Sequence, residues 1–336
     1  KNFLYALLIL FLSFYILFVS ANFFYEIYQK GLEASNDMGL LTKVIFPYLY
    51  NIGFGAGLCF LIYNLHNYNS NFFFLIIVLI AIEGFFTNLS MLSRNMVLYS
   101  SSIFLGYALL INENSQIKYF RIKLMMSYFI LLSIFFISIM GTNLLRNNKY
   151  QLISNQEIVS KSDCLIKEKE SYFKGSDLLK LFITRSIGIE GVISTQINKN
   201  LLGFDLIKKS LNENVENDQS FYEKKFLKNQ NRKKNYKNSN QVILPGIFGY
   251  LYFSGSVLFL SSSLFLICFI CLCFEKIILF YTNNNVLCSF LVFCIVWRLI
   301  NFGYLVSNTL NFILSLVFTL VIIHFAQLFL HGKYKK

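Results

Sequence analysis

The sequence predicts an all-α, polytopic integral membrane protein with about eight transmembrane helices and one large extracytoplasmic loop. Three observations predict it. Hydrophobic residues fill 56% of the 336 positions and charged residues only 14%, against about 25% charged in a soluble domain, so the chain cannot coat itself with a solvated surface. The apolar residues gather into runs of roughly 18–24, long enough to cross a hydrocarbon core about 30 Å thick. Only two prolines occur, which suits long helices.

Taken in order, the apolar runs place spans near residues 3–24, 41–64, 72–91, 95–111, 122–141, 257–275, 286–304 and 307–330. Residues 1–141 hold the first five helices, 142–243 the large loop, and 244–336 the last three helices. Residues 243–256 (ILPGIFGYLYFSGS) are apolar but broken by Pro245, Gly246, Gly249 and Gly255, so they are expected to re-enter or skim the membrane before the sixth span. The chain opens on Lys1 rather than Met, and the expectation is a truncated start with earlier helices missing. The length of the first run, with one Lys before it and no small-residue cleavage site, argues against a signal peptide.

Orientation follows from the short connections. Lys333, Lys335 and Lys336 in the tail, and Lys118, Arg121 and Lys123 in the 112–123 connection, mark the cytoplasmic side. Counting helices keeps both on that side and puts residues 25–40 outside, where Glu26, Glu33 and Asp37 outnumber Lys30. The large loop then lies outside as well. It carries 18 Lys and Arg against 11 Asp and Glu, but long loops translocate largely regardless of charge. Within it, Ser176 is an N-cap for an amphipathic helix over about 176–198, with Leu178, Leu179, Phe182 and Ile183 on the apolar face. Residues 203–212 continue as a second short helix, and the Lys/Asn-rich 223–241 is solvated.

Charges inside the spans need a reason, because burying one in hydrocarbon costs roughly 2.5–3.5 kcal/mol even on insertion scales. Glu83 sits in the third span, Arg94 in the turn that follows it (MLSRNMVL), and Arg298 in the seventh span, all in the outer half. Two readings stand. Glu83 and Arg298 neutralise one another and Arg94 snorkels at the interface; or Arg94 and Arg298 join Arg185 of the loop helix in an outward-facing anion site, since guanidinium groups hold phosphate oxygens bidentately. Arg185 and Glu190 are the candidate catalytic residues. Five residues apart on one helix they point about 140° apart, which excludes a tight ion pair, and a solvated carboxylate is the plainer reading of Glu190.

His66, His324 and His331 all fall on the cytoplasmic side, so any base at the outer face is a carboxylate, a tyrosine or the substrate itself. Cys268, Cys271 and Cys273 have Leu and Phe between them and no interleaved His or Asp. They read as small buried hydrophobes, and no metal or other cofactor is expected. Signatures for nucleotide or metal binding are absent from the sequence, which argues against a pump or a nucleotide-sugar transferase, and nucleic acid is not an expected partner. Anionic headgroups and glycans suit the basic 223–241 run better.

Three segments together resemble the O-antigen polymerase and ligase superfamily of bacterial envelopes. MLSRNMVLYSSSIFLGYALL resembles that family's span opened by an arginine at the periplasmic face, with Arg94 in that position. ITRSIGIEGV resembles the arginine motif of its large periplasmic loop, with Arg185 in place. LPGIFGYLYFSGSVLFL resembles the glycine-rich entry to the next helix, with Gly246, Gly249 and Gly255. Ligases of the superfamily carry a His near the start of the third segment; Asn240 and Gln241 stand there here, which points to the polymerase branch. The resemblance implies an inner-membrane, metal-independent glycosyltransferase with a periplasmic loop. Its substrate would be a lipid diphosphate-linked glycan, its surroundings membrane lipids, and a chain-length regulator a partner. The alternatives are a transporter or flippase of an anionic lipid-linked substrate, gated by Glu83 and Arg298; a structural membrane subunit; and another lipid-dependent glycosyltransferase using Glu33 or Asp37.

Overall fold

A computed structural model describes residues 2–30, 39, 44–69, 72–93, 95–114, 118–159, 189–211, 246–300 and 306–334. Among these residues every element is a helix. The first five are α1 (Asn2–Tyr25), α2 (Phe46–Tyr68), α3 (Phe73–Ser90), α4 (Met96–Asn114) and α5 (Lys118–Val159). Three short helices follow, α6 (Ile189–Ile197), α7 (Phe204–Leu211) and α8 (Gly246–Leu251). The chain closes with α9 (Val257–Thr282), α10 (Asn285–Ile300) and α11 (Val306–Tyr334). Six of these helices are long and apolar enough to cross a membrane, and α4 and α10 add two shorter apolar stretches, Met96–Asn112 and Asn285–Leu299. The chain is a multi-pass membrane protein built of helices.

α5 outruns its expected end furthest. The fifth span was expected to stop near residue 141, but α5 runs on to Val159, 42 residues in all and roughly 63 Å at 1.5 Å per residue. The physical reason lies in residues 142–159, which contain neither Gly nor Pro, the two strong helix breakers. The four asparagines of this stretch make it polar enough to read as loop and are only weak helix formers, but nothing in it breaks the helix where it leaves the apolar run.

The chain divides into two compact units. The first is Lys1–Asn143, Cys268–Val296 and Thr309–Lys336; the second is Leu144–Ile267 and Trp297–Asn308. In the first, α3 packs between α1, α2 and α4. Small residues permit the closest approaches. A Cβ at Gly84 would lie 2.6 Å from the Ser100 hydroxyl, and one at Gly106 would lie 2.8 Å from the Val286 backbone of α10, so only glycine lets these backbones meet.

In the second unit, Leu206 of α7 buries against Tyr250 and Phe253, with Leu202 and Ile207 around them. The stretch expected to re-enter or skim the membrane is the six-residue α8 and a 3-10 turn, Tyr252–Ser254. Gly246 (φ 70°) and Gly255 (φ 74°) bracket it in left-handed conformations, and Val257 opens α9 two residues later. The 203–212 stretch is helical as α7. Of the amphipathic helix expected over 176–198, the described part is α6; Ser176 and its apolar partners lie outside the described residues, as does the 223–241 run.

Candidate functional site

The polar groups of the first unit gather at one end. α1, α3 and α5 run toward that end and α2 and α4 run away from it, so the late residues of the first three meet the early residues of the other two. The sequence of α3 shows the gradient: FFLIIVLIAI is followed by Glu83, Thr87, Asn88 and Ser90. All four are buried, Glu83 at 4% exposure. With no water to turn to, such groups must find partners in neighbouring helices.

Each face of α3 finds a different neighbour. The Tyr15 hydroxyl of α1 donates to the Glu83 carbonyl at 3.0 Å and shares a hydrogen bond with Thr87 Oγ1 at 2.9 Å. Ser100 Oγ of α4 donates to the Glu83 carboxyl at 2.7 Å. On the α5 side, Asn88 Nδ2 donates to Ser138 Oγ at 2.8 Å and to Thr142 Oγ1 at 3.2 Å. Ser138 and Thr142 stand four residues apart and so share one face of α5.

α3 ends in a strained turn. Ser93 N–H donates to Asn88 O at 3.1 Å and Leu92 N–H to Leu89 O at 3.2 Å, which is the Schellman pattern. Its left-handed position normally takes glycine or asparagine; here Leu92 fills it at φ 50°, a conformation that costs a leucine roughly 1–2 kcal/mol. Burial holds it there, with Leu92 only 1% exposed. Two further bonds lock the turn. Lys30 N–H donates to Met91 O at 2.9 Å, and Asn22 Nδ2 donates to Ser90 O and Ser90 Oγ at 3.0 and 2.9 Å, meeting a carbonyl that the helix end leaves without a partner.

Asn22 also clamps the chain leaving α1. Its Oδ1 accepts from Tyr28 N–H at 2.6 Å and its Nδ2 donates to Tyr28 O at 3.0 Å. α2 contributes a π-helical turn at Leu49–Gly53, just after Pro47. There the Tyr50 hydroxyl donates to Phe18 O at 3.1 Å and meets Ser90 Oγ at 3.1 Å, while Asn51 Nδ2 reaches Pro47 O at 2.7 Å and Tyr28 Oη at 3.2 Å. Widened turns of this kind recur at functional sites. The seam has polar capacity to spare: Asn88 Oδ1 and both amide atoms of Asn143, itself 5% exposed, find no hydrogen-bond partner among the described residues.

The sequence-predicted residues are placed unevenly. Glu83 lies inside the first unit with Ser100 on its carboxyl, and Arg298 is half-buried in the last turn of α10. Glu190 is the second residue of α6, its side chain outside the described residues. Arg94 and Arg185 are also outside, as are Glu33, Asp37, Asn240 and Gln241, so the described residues bring no two of the three arginines together. His66 stacks edge-on against Tyr107 at 5.6 Å. Among the described residues no group of His, Cys, Asp and Glu is arranged to hold a metal ion.

The polar seam itself escaped a search for charges. Asn22, Tyr50, Asn88, Ser138 and Thr142 are uncharged, and of these only Ser138 and Thr142 carry a sequence signal, two polar residues at four-residue spacing in one span. The chain matches no model of a known family, no curated protein and no solved structure.

Proposed function

We propose that the chain is a glycosyltransferase that polymerises lipid diphosphate-linked oligosaccharide repeat units at the outer face of the bacterial inner membrane. The observation that carries this reading is the strained turn at the polar end of the bundle. Leu92 is held left-handed and buried, and Ser93 is buried beside it. Arg94 is the next residue, the one that the resemblance to O-antigen polymerases marks. Strain of this kind persists where surrounding contacts over-determine it, and it concentrates at binding and catalytic sites.

In the proposed reaction a hydroxyl of one lipid-linked unit attacks the anomeric carbon of another. The bond from that carbon to the diphosphate oxygen breaks, the lipid diphosphate leaves, and the hydroxyl proton passes to a carboxylate, for which Glu190 is the candidate, or to the departing diphosphate. Arg94, Arg185 and Arg298 would stabilise the negative charge that grows on the leaving group. Arg94→Ala and Arg185→Ala are each expected to abolish long-chain glycan on a polysaccharide gel at unchanged protein level. Arg→Lys at either position is expected to fail too, because an ammonium does not reproduce the bidentate fork. A wild-type ladder from either alanine variant rejects the site.

The second reading, a transporter or flippase of an anionic lipid-linked substrate, draws on Glu83, since an ionisable residue in the interior of a bundle is a candidate for a transport pathway. Glu83→Gln separates the two. The amide oxygen still accepts from Ser100, so a polymerase keeps its glycan ladder, whereas a transporter that uses the charge loses transport of the lipid-linked unit.

A further inference from the structure

We infer that α6, α7 and the segment joining them lie in the interfacial layer of the bilayer that α9 crosses, apolar side chains toward the acyl chains and lysines at the level of the phospholipid phosphates. The inference does not rest on the polymerase reading.

The first turn of α9 fixes the depth. Val257 is 67% and Leu258 78% exposed, and none of the most apolar stretch of α9 is buried, so this surface faces acyl chains from its first residues onward. α7 is tied to that turn and to the 3-10 turn that precedes it. Gly203 N–H donates to Phe253 O at 2.8 Å, and the Phe204 ring meets the Phe259 ring edge-on at 5.3 Å. α6 is tied to the turn that feeds α9, because the Tyr252 hydroxyl donates to Gln196 Oε1 at 2.6 Å.

These helices leave an apolar run uncovered, with Gln196, Lys199, Asp205, Lys208 and Lys209 exposed beside it. Ile193 and Ile197 are exposed four residues apart on one face of α6, followed by Leu201 and Phe204. Lys199 sits between them, and Lys208 stands four residues after Phe204 on the same flank of α7. An apolar stripe edged with lysines is the pattern of a helix lying in a membrane interface, its lysine stems along the apolar surface and its ammonium groups among the phosphates. The occupant is the bilayer because the stripe is continuous, through Phe204 and Phe259, with the lipid-facing surface of α9.

The experiment uses the chain's single tryptophan, Trp297. In a Trp297→Phe background, Phe204→Trp and Ile197→Trp are made separately. The full chain is reconstituted in nanodiscs of phosphatidylcholine and phosphatidylglycerol, with and without acyl chains brominated near the headgroup. Both indoles are expected to emit to the blue of free tryptophan, to lose most of their emission in brominated lipid, and to resist aqueous acrylamide. Ile197 is 77% exposed, so its replacement tests the proposal even where Phe204→Trp fails to fold. Water-like emission quenched by acrylamide and unaffected by bromine overturns the inference. Protection from both quenchers overturns it as well, since that result means a protein surface, a second copy included, covers the stripe.

Discussion

α2 and α9 solve the membrane problem in opposite ways. α2 is the least apolar of the six candidate spans, and 61% of its most apolar window is buried; α9 is the most apolar, and none of its window is buried. In a soluble protein the ranking runs the other way, because water rewards polar surface. Here lipid surrounds the bundle, so α9 turns Leu, Ile and Phe outward, while α2 is withdrawn into the interior where Tyr50, Asn51 and the π turn find partners. The treatment of serine shows the same division. Ser261 and Ser262 of α9 return their hydroxyls to carbonyls of their own helix at 3.0 and 3.1 Å. Ser90 and Ser100, in the interior, join helices to one another.

The largest expected effect comes from the residue that ties the interior together. Asn22→Ala removes the partner of Ser90 O and both bonds to the Tyr28 backbone, in a site that water does not reach. Each abandoned buried group costs about 1–3 kcal/mol, and a total of about 3 kcal/mol is expected, read as a lowered midpoint of thermal unfolding in nanodiscs. A loss no greater than that of an exposed α9 substitution breaks the contrast between interior and rim.

Leu92→Gly sets two terms against each other. Glycine relieves about 1–2 kcal/mol of left-handed strain, but burial of a leucine side chain is worth about 1.5–3 kcal/mol, and the cavity left behind adds to the loss. Burial wins, and a net destabilisation of about 1 kcal/mol is expected by the same measurement. A stabilised Leu92→Gly would mean that the strain, rather than the burial, dominates at this turn.

The distinction between the two kinds of span was only half legible in the sequence. Apolar runs announce α1, α9 and α11 because lipid-facing helices have nothing to accommodate except hydrocarbon. α7 was legible as a second short helix over 203–212. The continuation of α5 was not, because hydropathy registers only its polarity and not the absence of Gly and Pro that lets the helix run on. The strained turn was illegible for a different reason: Leu92 occupies a place where Gly or Asn would have signalled the helix end, and only tertiary burial puts a leucine there. Window averages also dissolve a lone Asn22 or Asn88 among isoleucines and phenylalanines. Charges stood out, so Glu83 and Arg298 were found, yet the hydrogen bonds that organise the interior come mostly from neutral side chains.

The smallest effects make the sharpest test, because they compare like with like. Tyr50→Phe removes one hydroxyl and no volume from α2. Interhelical hydrogen bonds in membranes average about 0.6 kcal/mol and reach about 1.7, and Tyr50 stands near the upper part of that range because its hydroxyl contacts both Phe18 O and Ser90 Oγ, leaving the Phe18 carbonyl without that donor. Phe280→Ala removes a whole ring from α9, but that ring is 84% exposed and its loss should shift the bundle's unfolding by less than about 0.5 kcal/mol. Deleting one oxygen from the interior should therefore cost more than deleting a phenyl group from the rim. The reverse order would mean that α9 is covered by protein, and that its apolarity serves packing rather than contact with lipid.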